Sequence, residues 1–154
     1  MPTLRLRLIA PIAVASCIAS IALTATLAGQ SPGGAEYLAT WMKRLRAEGE
    51  ANPEDVLTVG AGDIVGASPP ISAAFHDEPA VEIVSSLGLT LTAAGDHEFD
   101  EGVAELQRLQ QRGCHPVDGC QDGDPFAGAR IKSLAANVVD KTRHLPVRPI
   151  VSRS

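Results

Sequence analysis

Aromatic side chains are nearly missing from this sequence, with one Trp, one Tyr and three Phe making up 3% of 154 residues. That scarcity excludes an aromatic-centred core, so the interior has to be assembled from Ala, Val, Leu and Ile. Basic charge is also in deficit: 13 Lys and Arg face 18 Asp and Glu, a formal net charge of −5. A chain this acidic has no basic footprint for a nucleic-acid polymer; its carboxylates favour a cation instead. No internal repeat is present. What is there is 45% apolar and 20% charged. That ordinary globular balance argues against disorder, and the length suits one domain at most.

Charge is absent altogether from Leu8 to Leu27, behind the basic pair Arg5 and Arg7. A basic start, an apolar run and the small-residue site Thr26-Leu27-Ala28 read as a secretory signal over residues 1–28. The run is also long enough to span a bilayer uncleaved, and Val14-Ala15-Ser16-Cys17 resembles a lipoprotein cleavage box. Each reading makes the protein exported, either secreted or associated with the cell envelope. Membrane contact is expected only through this N-terminal segment, if it stays attached.

Cysteine usage fits export. Apart from Cys17, the cysteines are Cys114 and Cys120, in Gly113-Cys114-His115-Pro116-Val117-Asp118-Gly119-Cys120. Pro116 and Gly119 give the segment turn character, and in an oxidising compartment a disulfide closing this small loop is expected. Zinc held by both cysteines and His115 is the competing reading.

Along the remaining chain, helical spacing of Tyr37, Leu38, Trp41, Met42 and Leu45 predicts an amphipathic helix over 35–49 with that stripe in the core. Asn52-Pro53 marks a turn. A short strand lies within 55–61, and its apolar character predicts a parallel strand buried on both faces. A helical turn follows at 71–75, then a helix from Asp77 or Glu78 to about Leu87. A strand covers 89–94, a helix 101–111 and a third strand 134–139. Strands alternating with helices predict an α/β fold with parallel neighbours.

Both early strands end in acids. The first leads into Gly60-Ala61-Gly62-Asp63, the second into Gly95-Asp96-His97-Glu98-Phe99-Asp100. Open α/β sheets bind ligands beyond the C-terminal ends of their strands. Asp63, flanked by Gly62 and Gly66, is placed to bridge two cations, and Asp96 to ligate one. His97 would act as a ligand or, protonated, as a proton donor. Asp100 would fix the ring of His97 and favour its charged form. Helix capping is the competing role for these acids, while His76 and His115 read as loop residues.

Five segments together resemble the 5′-nucleotidase family of calcineurin-like metallophosphoesterases. They are Gly34-Ala35-Glu36-Tyr37-Leu38-Ala39-Thr40, 61–69, Phe75-His76-Asp77-Glu78-Pro79, 95–102 and the loop from Cys114 to Cys120. The resemblance spans about Gly33 to Lys141. It implies an α/β sandwich and hydrolysis of a nucleotide or other phosphate ester at two divalent cations, with manganese, zinc, magnesium, calcium and cobalt equally compatible. In that family the residue matching Asp63 bridges the metals and the position of Asp96 binds the second one. The residues matching His97 and Asp100 form a catalytic dyad.

Three departures stand against this resemblance. No Asp-x-His strand precedes Gly33, Asp96 stands where the family has asparagine, and no Gly-His-x-His segment or nucleoside-gripping domain follows. The expected organisation is therefore a signal or anchor over 1–28, a partial metallophosphoesterase domain over 33–140 and an atypical basic tail over 141–154. The domain would lack its first strand and its C-terminal half, which predicts an exposed sheet edge. The tail carries Lys141, Arg143, Arg148 and Arg153 without an acid, as expected of a truncated gene or a shifted reading frame. Two functions follow as expectations: an impaired exported phosphoester hydrolase, or a non-catalytic remnant or metal-binding module of the same shape.

Overall fold

The structure is a computed structural model that describes residues 34–50, 56–135, 138, 139 and 141. The expected signal, the Asn52-Pro53 turn and all but the first residue of the basic tail lie outside the described residues.

Four helices and three strands alternate. They are α1 (Ala35–Glu50), β1 (Val59–Gly60), α2 (Pro70–Ala73), α3 (Glu78–Ser86), β2 (Leu91–Ala93), α4 (Val103–Gln111) and β3 (Lys132–Leu134). A 3₁₀ turn, His97–Phe99, sits between β2 and α4. The strands form one parallel sheet in the order β1-β2-β3. Val59 pairs with Leu91, and Leu91, Thr92 and Ala93 pair with Lys132, Ser133 and Leu134. Bonds from Thr90 N–H to Thr58 O (3.1 Å), Lys132 N–H to Thr90 O (3.0 Å) and Ala94 N–H to Leu134 O (2.9 Å) extend the ladders. The fold is mixed α/β with parallel neighbours, as the alternation implies.

Aliphatic residues make the core, as the lack of aromatics requires. Ile64, Val65, Val81, Val84, Leu109, Ala129 and Ile131 form one cluster with a single aromatic member, Phe126. Leu106 of α4 is the most completely buried large side chain. Helix α3 begins with Pro79 in its first turn, where the ring's fixed φ suits a helix and its missing N–H leaves no bond unmade. A partly buried cation ties the helices together. Arg108 on α4 reaches Glu78 (2.5 Å), Glu105 (2.6 Å) and the carbonyl of Gly113 (2.6 Å).

Three expectations need correction. The strand within 55–61 is not buried on both faces: Leu57 is 63% exposed and Val59 58%. Among the described residues β1 pairs with β2 alone, at the edge of this sheet, and apolar residues did not by themselves place it inside. The third strand is Lys132–Leu134, so of the expected 134–139 it holds Leu134 alone among the described residues; 136 and 137 lie outside them. Ser133 is buried while Lys132 and Leu134 face out, so this edge strand alternates and its inward residue is polar. The stripe on α1 is not core throughout, because Tyr37 and Trp41 are more than half exposed. Polar bonds hold α1 to the sheet instead: Arg46 donates to Thr58 Oγ1 (3.0 Å) and to the carbonyl of Gly88 (2.9 Å).

Candidate functional site

The strand ends converge as their acids suggested. The turns after β1 and β2 touch backbone to backbone, and glycine is what allows it. Gly62 has φ +104°, and a Cβ there would sit 2.7 Å from the amide nitrogen of Gly95. A Cβ on Gly95 would overlap the Asp63 carboxylate. Asp63 itself takes φ 54°, a left-handed conformation that Asp tolerates better than most residues. Its Oδ1 accepts a long bond from the N–H of His97 (3.3 Å), linking the two turns.

Beneath these residues lies one that the sequence reading did not single out. Glu98 is 4% exposed, and its carboxylate accepts three backbone N–H bonds. They come from Asp63 (2.9 Å), Ile64 (2.7 Å) and Gly95 (2.6 Å). Charged acceptors make the stronger hydrogen bonds, so this side chain fastens both strand ends at once. The available signal was indirect. Glycine-rich turns leave backbone N–H groups without a ladder partner, and buried ones must find an acceptor. Asp77 does the same further along: it accepts from Gly66 N–H (2.8 Å) and from Ser72 Oγ (2.6 Å).

Above this base His97 and Asp100 are brought together. His97 Nδ1 lies 2.8 Å from Asp100 Oδ2, with both side chains partly open to solvent. The hydrogen bond from Asp100 raises the pKa of His97 above 6.5. Slight desolvation opposes this, while the charges of Asp100, Asp96 and Asp63 add to the rise. All three acids therefore act on one imidazole. Gly66, at φ +77°, lets the first turn pass under the dyad, since a Cβ there would overlap the carbonyl of His97 and lie 2.8 Å from Asp100 Oδ2.

Helix capping does not account for the acids. Asp96 precedes the 3₁₀ turn and Gly102 precedes α4, and neither end has a side-chain cap. Among the described residues nothing donates to the Asp96 carboxylate, and only the His97 N–H donates to that of Asp63. Both carboxylates thus retain lone pairs suited to a hard or borderline cation. Two carboxylates fit part of a metal centre; they do not by themselves complete a pair of cation sites. Groups of three or more metal-type side chains with converging donor atoms occur elsewhere among the described residues, around His76.

The disulfide is formed between Cys114 and Cys120. It removes both thiols from any zinc set, and His115 and Gly119 form an antiparallel bridge inside the loop. Among the described residues no helix is long and apolar enough to cross a membrane.

No protein-family model matches the chain. It is similar to an uncharacterized protein in the pqq-V 5′ region of Acinetobacter calcoaceticus, at 42% identity over 71% of the chain and 53% of that protein. It is 35% identical to the cell wall protein Lmo0130 of Listeria monocytogenes over 73% of the chain and 15% of the relative. It is 40% identical to the endonuclease YhcR of Bacillus subtilis over 76% of the chain and 9% of the relative. The chain thus spans about half the length, or much less, of the curated relatives it matches.

Proposed function

We propose that the chain carries part of an exported phosphoester hydrolase of 5′-nucleotidase type, on a calcineurin-like α/β domain. The observation that carries this reading is the His97–Asp100 pair, 2.8 Å apart and open to solvent, beside two acids at adjacent parallel strand ends. A relative named as an endonuclease supports chemistry on phosphate esters, because an endonuclease breaks phosphodiester bonds. A relative named as a cell wall protein and the disulfide support a location outside the cytoplasm.

In this reading Asp63 and Asp96 would hold divalent cations, which would supply water activation and charge neutralisation of the phosphate. Asp100 orients His97 through Nδ1 and favours its protonated form, so that Nε2–H can donate to a phosphate oxygen or to the departing alcohol. The negative charge of Asp96 opposes the incoming phosphate, which is why turnover is expected to be impaired. The substrate is a nucleotide or another small phosphate ester. A chain of net charge −5 offers little attraction to a polymer of phosphates.

Hydrolysis of AMP with added Mn²⁺ or Zn²⁺ tests the reading, with a single-stranded oligonucleotide assayed alongside. The expected result is slow release of phosphate from AMP that falls about 100-fold or more in His97→Ala. Activity unaffected by that substitution would remove the dyad from catalysis. No hydrolysis in either assay would leave the second function, a non-catalytic exported module.

A further inference from the structure

The disulfide loop meets the α2–α3 turn at a cluster separate from the strand-end site. His76 lies in that turn at φ 49°, next to Asp77 at φ 60°, and the buried bonds of Asp77 hold the turn in place. His115 comes from the disulfide loop. The two imidazoles stack with centroids 3.7 Å apart and planes inclined by 13°. Asp118 Oδ2 lies 2.9 Å from His76 Nε2 and 3.2 Å from His115 Nδ1. One carboxylate oxygen thus addresses a ring nitrogen of each histidine.

The donor atoms of this cluster converge as a cation would need. His115 Nδ1 accepts from the N–H of Asp118 at 3.2 Å, which makes it the unprotonated nitrogen. Its single lone pair is taken by that N–H, so a cation between this nitrogen and the Asp118 oxygen 3.2 Å away has to displace the long bond. On the opposite side of His76, Nδ1 is 3.2 Å from Glu101 Oε2. Metal-bound histidines commonly donate their second ring N–H to a carboxylate in this way, which fixes the tautomer. Glu105 also approaches His76, but Arg108 already engages both of its carboxylate oxygens at 2.6 to 3.0 Å.

We propose that His76, His115 and Asp118 form a binding site for one divalent transition-metal cation of the zinc class, tying the disulfide loop to the α2–α3 turn. Two imidazoles and a carboxylate suit a borderline-soft ion, and the donor atoms all lie within 4.8 Å of one another. Glu101 is the positioning residue for His76. The Cys114–Cys120 bridge sets His115 and Asp118 on one short loop, so the site depends on the oxidised protein.

Zinc titration of the oxidised full chain at pH 7.5, followed by calorimetry and by the histidine ring resonances, tests the site. An Asp63→Asn, Asp96→Asn background separates it from the strand-end acids. One equivalent of Zn²⁺ is expected to bind in that background and to shift the rings of His76 and His115 but not that of His97. His115→Ala and the gentler Asp118→Asn should each weaken it at least 10-fold. No uptake in that background, uptake unchanged in both variants, or shifts confined to His97 would each overturn the proposal.

Discussion

Glu98 and Asp100 are two residues apart and hold opposite ends of the same cluster. Glu98 is buried and spends its carboxylate on three backbone N–H groups. Asp100 is partly exposed and spends its own on one imidazole. The first builds the turns that carry Asp63 and Gly95, and the second sets the protonation of what those turns present. Residue type does not separate these roles; burial does. A carboxylate under the strand ends acts on shape, and one above them acts on chemistry.

The comparison breaks if the two acids respond alike to removal. Glu98→Ala should cost about 3 kcal/mol in urea unfolding, because buried N–H groups lose a charged acceptor. A loss below about 1 kcal/mol would mean that water replaces the carboxylate freely. Gly66→Ala tests the contact between the two levels. Its positive φ and the overlap with His97 and Asp100 predict a loss of about 2 kcal/mol, together with a changed His97 resonance. A change in stability without any change at His97 would uncouple the levels.

Asp100→Asn should give the smallest effect on folding and a clear one on titration. The pKa of His97 falls toward 6.5, read by NMR, while the urea midpoint at neutral pH stays within error. The sign for the native pair follows from linkage. A raised folded pKa contributes stability that is complete below 6.5 and lost as pH rises through the folded value. The native protein should therefore lose this contribution between pH 6.5 and that value, and Asp100→Asn should lose less of it. An unchanged His97 titration in Asp100→Asn would show that the 2.8 Å contact is not made in solution.

The outer level of the cluster was legible because its chemistry is local. Asp96, His97 and Asp100 fall within one turn, so spacing alone brings ring and carboxylate together. The alternation of strands and helices was equally plain, since apolar runs and helical stripes follow one another along the sequence. The inner level was not legible, because Glu98 acts on backbone amides 34 and 35 residues earlier. Nothing in its neighbours distinguishes it from a solvated acid. The same holds for Arg46, whose place on a polar helix face concealed its reach to Thr58 and Gly88. Edge strands misled for a related reason. An apolar pattern reports that a residue can be buried, and pairing order decides whether it is; Leu57 and Ser133 fall on opposite sides of that distinction.

The reach of Glu98 also sets an order of events during synthesis. The turn bearing Asp63 has its amides waiting until the chain has grown past residue 98, so that segment cannot settle as it emerges. Closing a span of this length has an entropic cost that local turns avoid, and contacts so distant slow the approach to the native state. Until then the first strand end is an open loop with polar groups exposed to water. The second strand end therefore completes the first one.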